Sequence, residues 1–93
     1  GIGGAVAEIV GRLLRTLGAA RQVLCVTHLP HVAAQAHQHL QVRKESQDDQ
    51  IHTRIASLDP EARVDEIARM LGGTSITAKT LAHAREMIER SVA

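Results

Sequence analysis

No phenylalanine, tyrosine or tryptophan occurs in these 93 residues. Without an aromatic ring there is nothing to stack on an exposed base, which argues against a reader of single-stranded nucleic acid. The core has to be assembled from Leu, Ile, Val, Ala and two Met, and a core of that kind is stabilised only modestly. A single cysteine, Cys25, excludes a disulfide scaffold and fits a reducing compartment. Lying inside an apolar run, it reads as a small buried hydrophobe. Charge of one sign is missing too. The formal net charge of +1, from 11 basic and 10 acidic residues, gives no general basic field for nucleic acid. No apolar run approaches the roughly 18 residues of a membrane span, and no basic region leads into a hydrophobic signal core. Neither a Gly-x-x-x-x-Gly-Lys-Ser/Thr phosphate loop nor a Gly-x-Ser-x-Gly elbow is present. The isolated polypeptide is therefore not expected to bind a nucleotide well or to carry a serine nucleophile.

What is present begins with Val23-Leu24-Cys25-Val26-Thr27-His28-Leu29-Pro30. Four apolar residues in a row predict a strand over 22–27, buried on both faces as in a parallel sheet between helices. It ends at two polar residues and a proline able to open a helix. In open α/β sheets ligands bind just beyond the carboxyl ends of strands, so His28 is the first candidate for chemistry. Before this strand, Val6, Ile9, Val10, Leu13, Leu14 and Leu17 recur at helical spacing, with Arg12 and Arg15 away from the stripe's centre and Gly18 a plausible stop. After it, Pro30 starts a short helix that carries Val32, Ala33 and Ala36 inward.

Leu40 and Val42, then Ile51, Thr53 and Ile55, alternate with polar neighbours around Glu45-Ser46-Gln47-Asp48-Asp49. This predicts a β-hairpin with one wet face. Asp59 as N-cap and Pro60 at the first helical position open a third helix. It buries Val64, Ile67, Ala68 and Leu71 and ends at Gly72-Gly73. Thr77 caps a last helix with Leu81, Ala84, Met87, Ile88 and Val92 toward one side. The predicted class is α/β in the order α-β-α-β-β-α-α. The chain divides into a glycine loop at 1–4, a helix–strand–helix unit at 5–37, the hairpin at 38–58 and two C-terminal helices at 59–93.

Six histidines raise a metal hypothesis, but they are scattered over several elements and the only cysteine is mid-strand, so no metal site is expected. Glu8 and the pair Asp65-Glu66 read as solvated helix faces. Arg43, Lys44 and Arg54 on the hairpin form a weak candidate patch for DNA.

Read in order, Gly1-Ile2-Gly3-Gly4, the long helix, and Gln22 through Pro30 resemble the end of an ABC-type ATPase head. Arg63-Val64-Asp65-Glu66-Ile67-Ala68-Arg69-Met70-Leu71-Gly72-Gly73 and Thr80-Leu81-Ala82-His83-Ala84-Arg85-Glu86-Met87 extend the likeness to essentially the whole chain. Within that superfamily the chain resembles the RecN family of SMC-like bacterial DNA-repair ATPases. The resemblance implies the C-terminal part of an ABC/SMC-type P-loop head. In it, His28 is the switch histidine that contacts the γ-phosphate and the attacking water, and Thr27 supports the turn that presents it. Gly1, Ile2, Gly3 and Gly4 are the remnant of the loop that reaches across the dimer toward the partner's nucleotide.

The resemblance further implies ATP and Mg²⁺ as cofactors of the complete head, with none expected on this piece alone. The partners it implies are the N-terminal part of the same head, a second head, and DNA, with no membrane. The location would be the cytoplasm, at the nucleoid. A start on Gly1 rather than Met suggests a segment cut from a longer protein, with the phosphate loop, signature and Walker B acids before it. The stripe from Val6 to Leu17 would then lack its native cover and invite self-association. Two other readings stand beside this one: a free-standing α/β regulatory or interaction domain, and a histidine-rich metal-binding module.

Overall fold

A computed structural model describes residues 3–92. Its elements run α1 (Gly4–Ala20), α2 (Pro30–Ala33), β1 (Leu40–Gln47), β2 (Gln50–Ser57), α3 (Pro60–Gly72) and α4 (Ala78–Ser91). Helices and a two-stranded antiparallel sheet make the class α/β. The predicted order is corrected at one place. Residues 22–27 are extended but belong to no strand. Leu24 is 82% exposed, Val26 is 93% exposed, and Cys25 is exposed rather than buried. A lone strand cannot satisfy its own N–H and C=O groups, and among the described residues the two strands that form a sheet pair with each other. This stretch therefore has the sequence of a buried strand and no neighbour to pair with.

The helices end where local chemistry predicts, with one shift. The Asp59 carboxylate accepts from the Ala62 N–H at 2.8 Å, with Pro60 following it into the helix. Gly73 closes α3 at φ 67°, a left-handed conformation open to glycine without a Cβ penalty. Thr77 accepts from the Thr80 N–H at 3.1 Å to start α4. Helix α1 runs past Gly18 to Ala20, closing on a bond from the Arg21 N–H to the Leu17 carbonyl.

The core lies between α2, α3 and α4. Ala33, Ala34, Val64, Ile67, Ala68, Ala84 and Met87 are buried, with Leu71, Leu81 and Ile88 packed at its edge. Val92 lies outside it, exposed. Helix α1 joins this core through small residues. Ala7 and Gly11 are buried, whereas Val6, Ile9, Val10, Leu13 and Leu17 are exposed. A Cβ on Gly11 would lie 2.7 Å from Gln35 Cγ, 3.1 Å from the His31 carbonyl oxygen and 3.2 Å from Val32 Cα. Helix α2 thus rests directly on the α1 backbone, and the large apolar stripe faces away.

The hairpin turns through Asp48 and Asp49, at φ 52° and 61°. This is the doubly left-handed two-residue loop that matches strand twist, and aspartate tolerates it better than most side chains. The register Leu40↔Ser57, Val42↔Ile55, Lys44↔Thr53 and Ser46↔Ile51 gathers Leu40, Val42, Ile51 and Ile55 on one face. The apolar face exists as predicted, but nothing among the described residues covers it. All four residues are exposed.

Candidate functional site

The site is built around α2, a single turn of four residues. The Leu29 N–H donates to the Thr27 hydroxyl at 3.0 Å. The Leu29 carbonyl then accepts from the Val32 and Ala33 N–H groups at 3.1 and 3.0 Å. Thr27 therefore folds the chain into a turn just before the helix, and His28 sits exposed on that turn. Its imidazole projects from the end of the extended 22–27 segment and is free to meet a ligand from outside.

Gly3 is the N-cap of α1 and Gly4 its first residue. Gly1 and Ile2 lie outside the described residues. The start of α1 meets α2 at His31: a Cβ on Gly4 would lie 3.2 Å from the His31 Nε2. A cleft of about 240 Å³ opens there between α1, α2 and α4, lined by Gly4, Glu8, His31, Gln35, His83 and Arg90 among others. Gly3, Gly4 and the His28 turn thus sit at the N-terminal ends of two touching helices. His28 itself does not line the cleft.

A one-turn helix is marginal alone, and the rest of the chain holds this one by its carboxyl end. The Arg63 Nη2 on α3 donates to the carbonyls of Ala33, Ala34 and Ala36 at 3.3, 3.0 and 2.7 Å. From α1, the Arg15 Nη1 donates to the Gln35 carbonyl at 2.8 Å. Cations suit the unsatisfied carbonyls and negative dipole end of a helix. Burial lowers the Arg63 pKa, and the neighbouring Arg15 charge lowers it further. Arg15, expected at the outer margin of its stripe, is turned inward by this bond.

A second buried group sits beside it. Glu66 is only 7% exposed, not a solvated face as its pairing with exposed Asp65 suggested. It accepts from the Gln41 Nε2 at 2.5 Å and from the Arg69 Nε at 2.9 Å, with a further bond from the Arg69 Nη2. The hydrogen bond from Arg69 holds its carboxyl below the usual range and outweighs burial, which pushes the other way. Glu66 thereby moors the root of the hairpin to α3. At that root, burial first and then Arg63 hold the His39 imidazole below its ordinary value of 6.5, against the pull of Glu66. The His39 Nδ1, the Gln35 Oε1 and the Arg63 Nε are buried without partners, all at or beside the end of α2.

The hairpin patch does not form as predicted. Arg43 and Arg54 both reach Glu45, at 4.0 and 3.1 Å, while Lys44 lies on the opposite, apolar face. Among the described residues, no group of three or more His, Cys, Asp or Glu is placed to hold a metal ion. No helix among them is long and apolar enough to cross a membrane.

The hydrogen bonds of Arg15, Arg63 and Glu66 and the close packing at Gly11 were missed in the sequence. Two signals existed. Gly11 interrupts a helix interior at a cost of about 1 kcal/mol against alanine, which calls for a packing reason. Arg63, Glu66 and Arg69 repeat at three-residue spacing, which places them on one side of α3.

No protein-family model matches the chain. Individual proteins do. The DNA repair protein RecN of Vibrio cholerae is 50% identical over 88 residues, which is 95% of this chain and 16% of that protein. That of Xylella fastidiosa is 52% identical over 89 residues, 96% of this chain and again 16% of the relative. The Bacillus subtilis protein of the same name is 38% identical over 91 residues, 98% of this chain and 16% of its own length. Over almost its whole length the chain matches RecN proteins. It corresponds to a small C-terminal part of these RecN proteins. With 98% of the chain covered by the Bacillus RecN, the match takes in every element from α1 to α4.

Proposed function

We propose that this chain is the C-terminal part of the ATPase head of a RecN-type protein acting in recombinational repair of DNA double-strand breaks, and that it supplies the γ-phosphate-sensing His28. The observation that carries this reading is the pairing of an exposed imidazole with an uncovered strand-like segment, in a chain matched almost end to end by DNA repair proteins. A preceding part of the same head covers the outer stripe of α1 and pairs with residues 22–27. It also brings the phosphate loop that this chain lacks. Two heads then sandwich the nucleotides, with Gly1–Gly4 reaching toward the partner's site. The parent works on DNA in the cytoplasm, at the nucleoid.

ATP and Mg²⁺ fit this chain only at its edge. When bound, the metal ion neutralises charge on the phosphoryl oxygens. No residue of this chain is assigned to hold it. His28 is assigned to the nucleotide's γ-phosphate, donating an imidazole N–H to a phosphate oxygen and orienting the attacking water. Phosphoryl transfer is accelerated mainly by positioning and charge stabilisation, so an imidazole held on a hydrogen-bonded turn at the end of the extended 22–27 segment suits the task. Thr27 holds the turn, and its hydroxyl is already engaged in doing so.

His28→Ala in the full-length protein is expected to lower kcat by about 10²–10³-fold, or ~3–4 kcal/mol. Steady-state ATP turnover within threefold of the parent rejects the assignment.

A further inference from the structure

We propose that Arg63, assisted by Arg15, is a positioning residue for His28, clamping the carboxyl end of the one-turn helix whose start presents that imidazole. The inference rests on the reading of His28 given above. It also accounts for why the C-terminal motif beginning at Arg63 belongs to the same functional unit as the histidine turn.

The argument is geometric. Helix α2 has four residues, too few to persist through its own hydrogen bonds. His28 lies one residue before its N-cap, Leu29, so any tilt or fraying of α2 is passed directly to the imidazole. Arg63 grips the Ala33, Ala34 and Ala36 carbonyls at the far end, and Arg15 the Gln35 carbonyl between them. The two guanidiniums come from α3 and α1. Removing Arg63 takes a donor from the part-buried Ala34 and Ala36 carbonyls, and removing Arg15 takes one from that of Gln35. The short helix is the element free to move in response. Misplacing a catalytic group by about 1 Å costs on the order of 10²-fold in rate, whereas nucleotide affinity, set elsewhere, is spared.

The test uses a full-length RecN protein that carries this segment. Arg63→Met keeps the aliphatic stem and removes the donors. It is expected to lower kcat roughly 10–100-fold, with the KM for ATP within threefold of the parent. Added to His28→Ala, it should cause no further loss, because both changes act on one group. A variant that merely weakens the fold would lower turnover in both backgrounds. Arg63→Lys, which keeps a cation and N–H donors, should recover most of the rate, and exposed Arg85→Met should leave it unchanged. If Arg63→Met does not fold, Arg15→Met, which removes one bond, decides by the same two comparisons.

Parent-like turnover in the clamp variants, or an equal loss in the His28→Ala background, overturns the proposal. A His28→Ala protein with parent-like turnover removes the reading of His28, and the clamp's functional role with it. A crippled His28→Ala protein beside an unaffected Arg63→Met protein removes the clamp alone.

Discussion

At the scale of single residues, absence of a side chain does as much as presence. Gly11 is the point where α2 touches α1, and two of the three atoms nearest its missing Cβ are backbone atoms of α2. Backbone cannot rotate aside as a flexible side chain can. Gly11→Ala gains about 1 kcal/mol of helix propensity, but overpacking of a close contact costs typically about 1–3 kcal/mol. The net expected outcome is destabilisation, read as a lower denaturation midpoint in urea with an unchanged slope. An unchanged or higher midpoint would mean that α2 shifts freely away from α1. Such a contact is hard to read in a sequence, because a mid-helix glycine announces close approach but not its partner. Glu66 shows the same limit. It sits beside exposed Asp65, and only the tertiary fold decides that one carboxylate faces water while the other is moored to Gln41 and Arg69. The caps Asp59 and Thr77, by contrast, were legible because a cap is settled by three neighbouring residues.

At the scale of elements, the hairpin and the would-be strand make an instructive pair. Both follow from local pattern, yet only the hairpin forms its ladder, because its partner lies two residues away through the Asp48-Asp49 turn. Residues 22–27 carry the stronger apolar signal and remain unpaired, since periodicity can specify a strand but cannot supply the neighbour it needs. The hairpin in turn is marginal as an isolated ribbon and depends on its root. There His39 titrates below 6.5 in the folded chain. In the window between its folded value and 6.5, the unfolded chain binds more protons than the folded one, so stability rises with pH and is lost as pH falls through that window. Glu66 acts in the same sense at more acid pH. Its folded pKa is depressed, so its contribution is present above the unfolded value and disappears as pH drops through the folded one. Amides of residues 40–57 are therefore expected to open several-fold more readily at pH 5.5 than at pH 7.5, after correction for intrinsic exchange. His39→Gln should flatten that dependence between the two values. A variant that keeps the full pH response would place the titrating group elsewhere.

At the scale of the whole molecule, one surface decides how the chain behaves. Val6, Ile9, Val10, Leu13 and Leu17 on α1 are exposed together with Leu24 and Val26 on the extended segment. An exposed apolar surface of this composition marks an interaction face in a soluble protein. The chain spans 16% of the RecN relatives it matches, which leaves most of their length to provide a cover. The same substitution should then have opposite effects in two contexts. Leu13 is 66% exposed here. In the isolated 93-residue chain, Leu13→Glu removes apolar surface from a face expected to drive self-association. Sedimentation should show a larger monomer fraction with little loss of helix. In the full-length protein, under the cover proposed for α1, the same glutamate would be buried without a partner, at a cost of about 3 kcal/mol or more. Thermal unfolding should then begin well below that of the parent. Equal tolerance in both contexts would mean that the stripe faces solvent in the assembled protein as well, and the cover proposed for α1 would have to lie on another face.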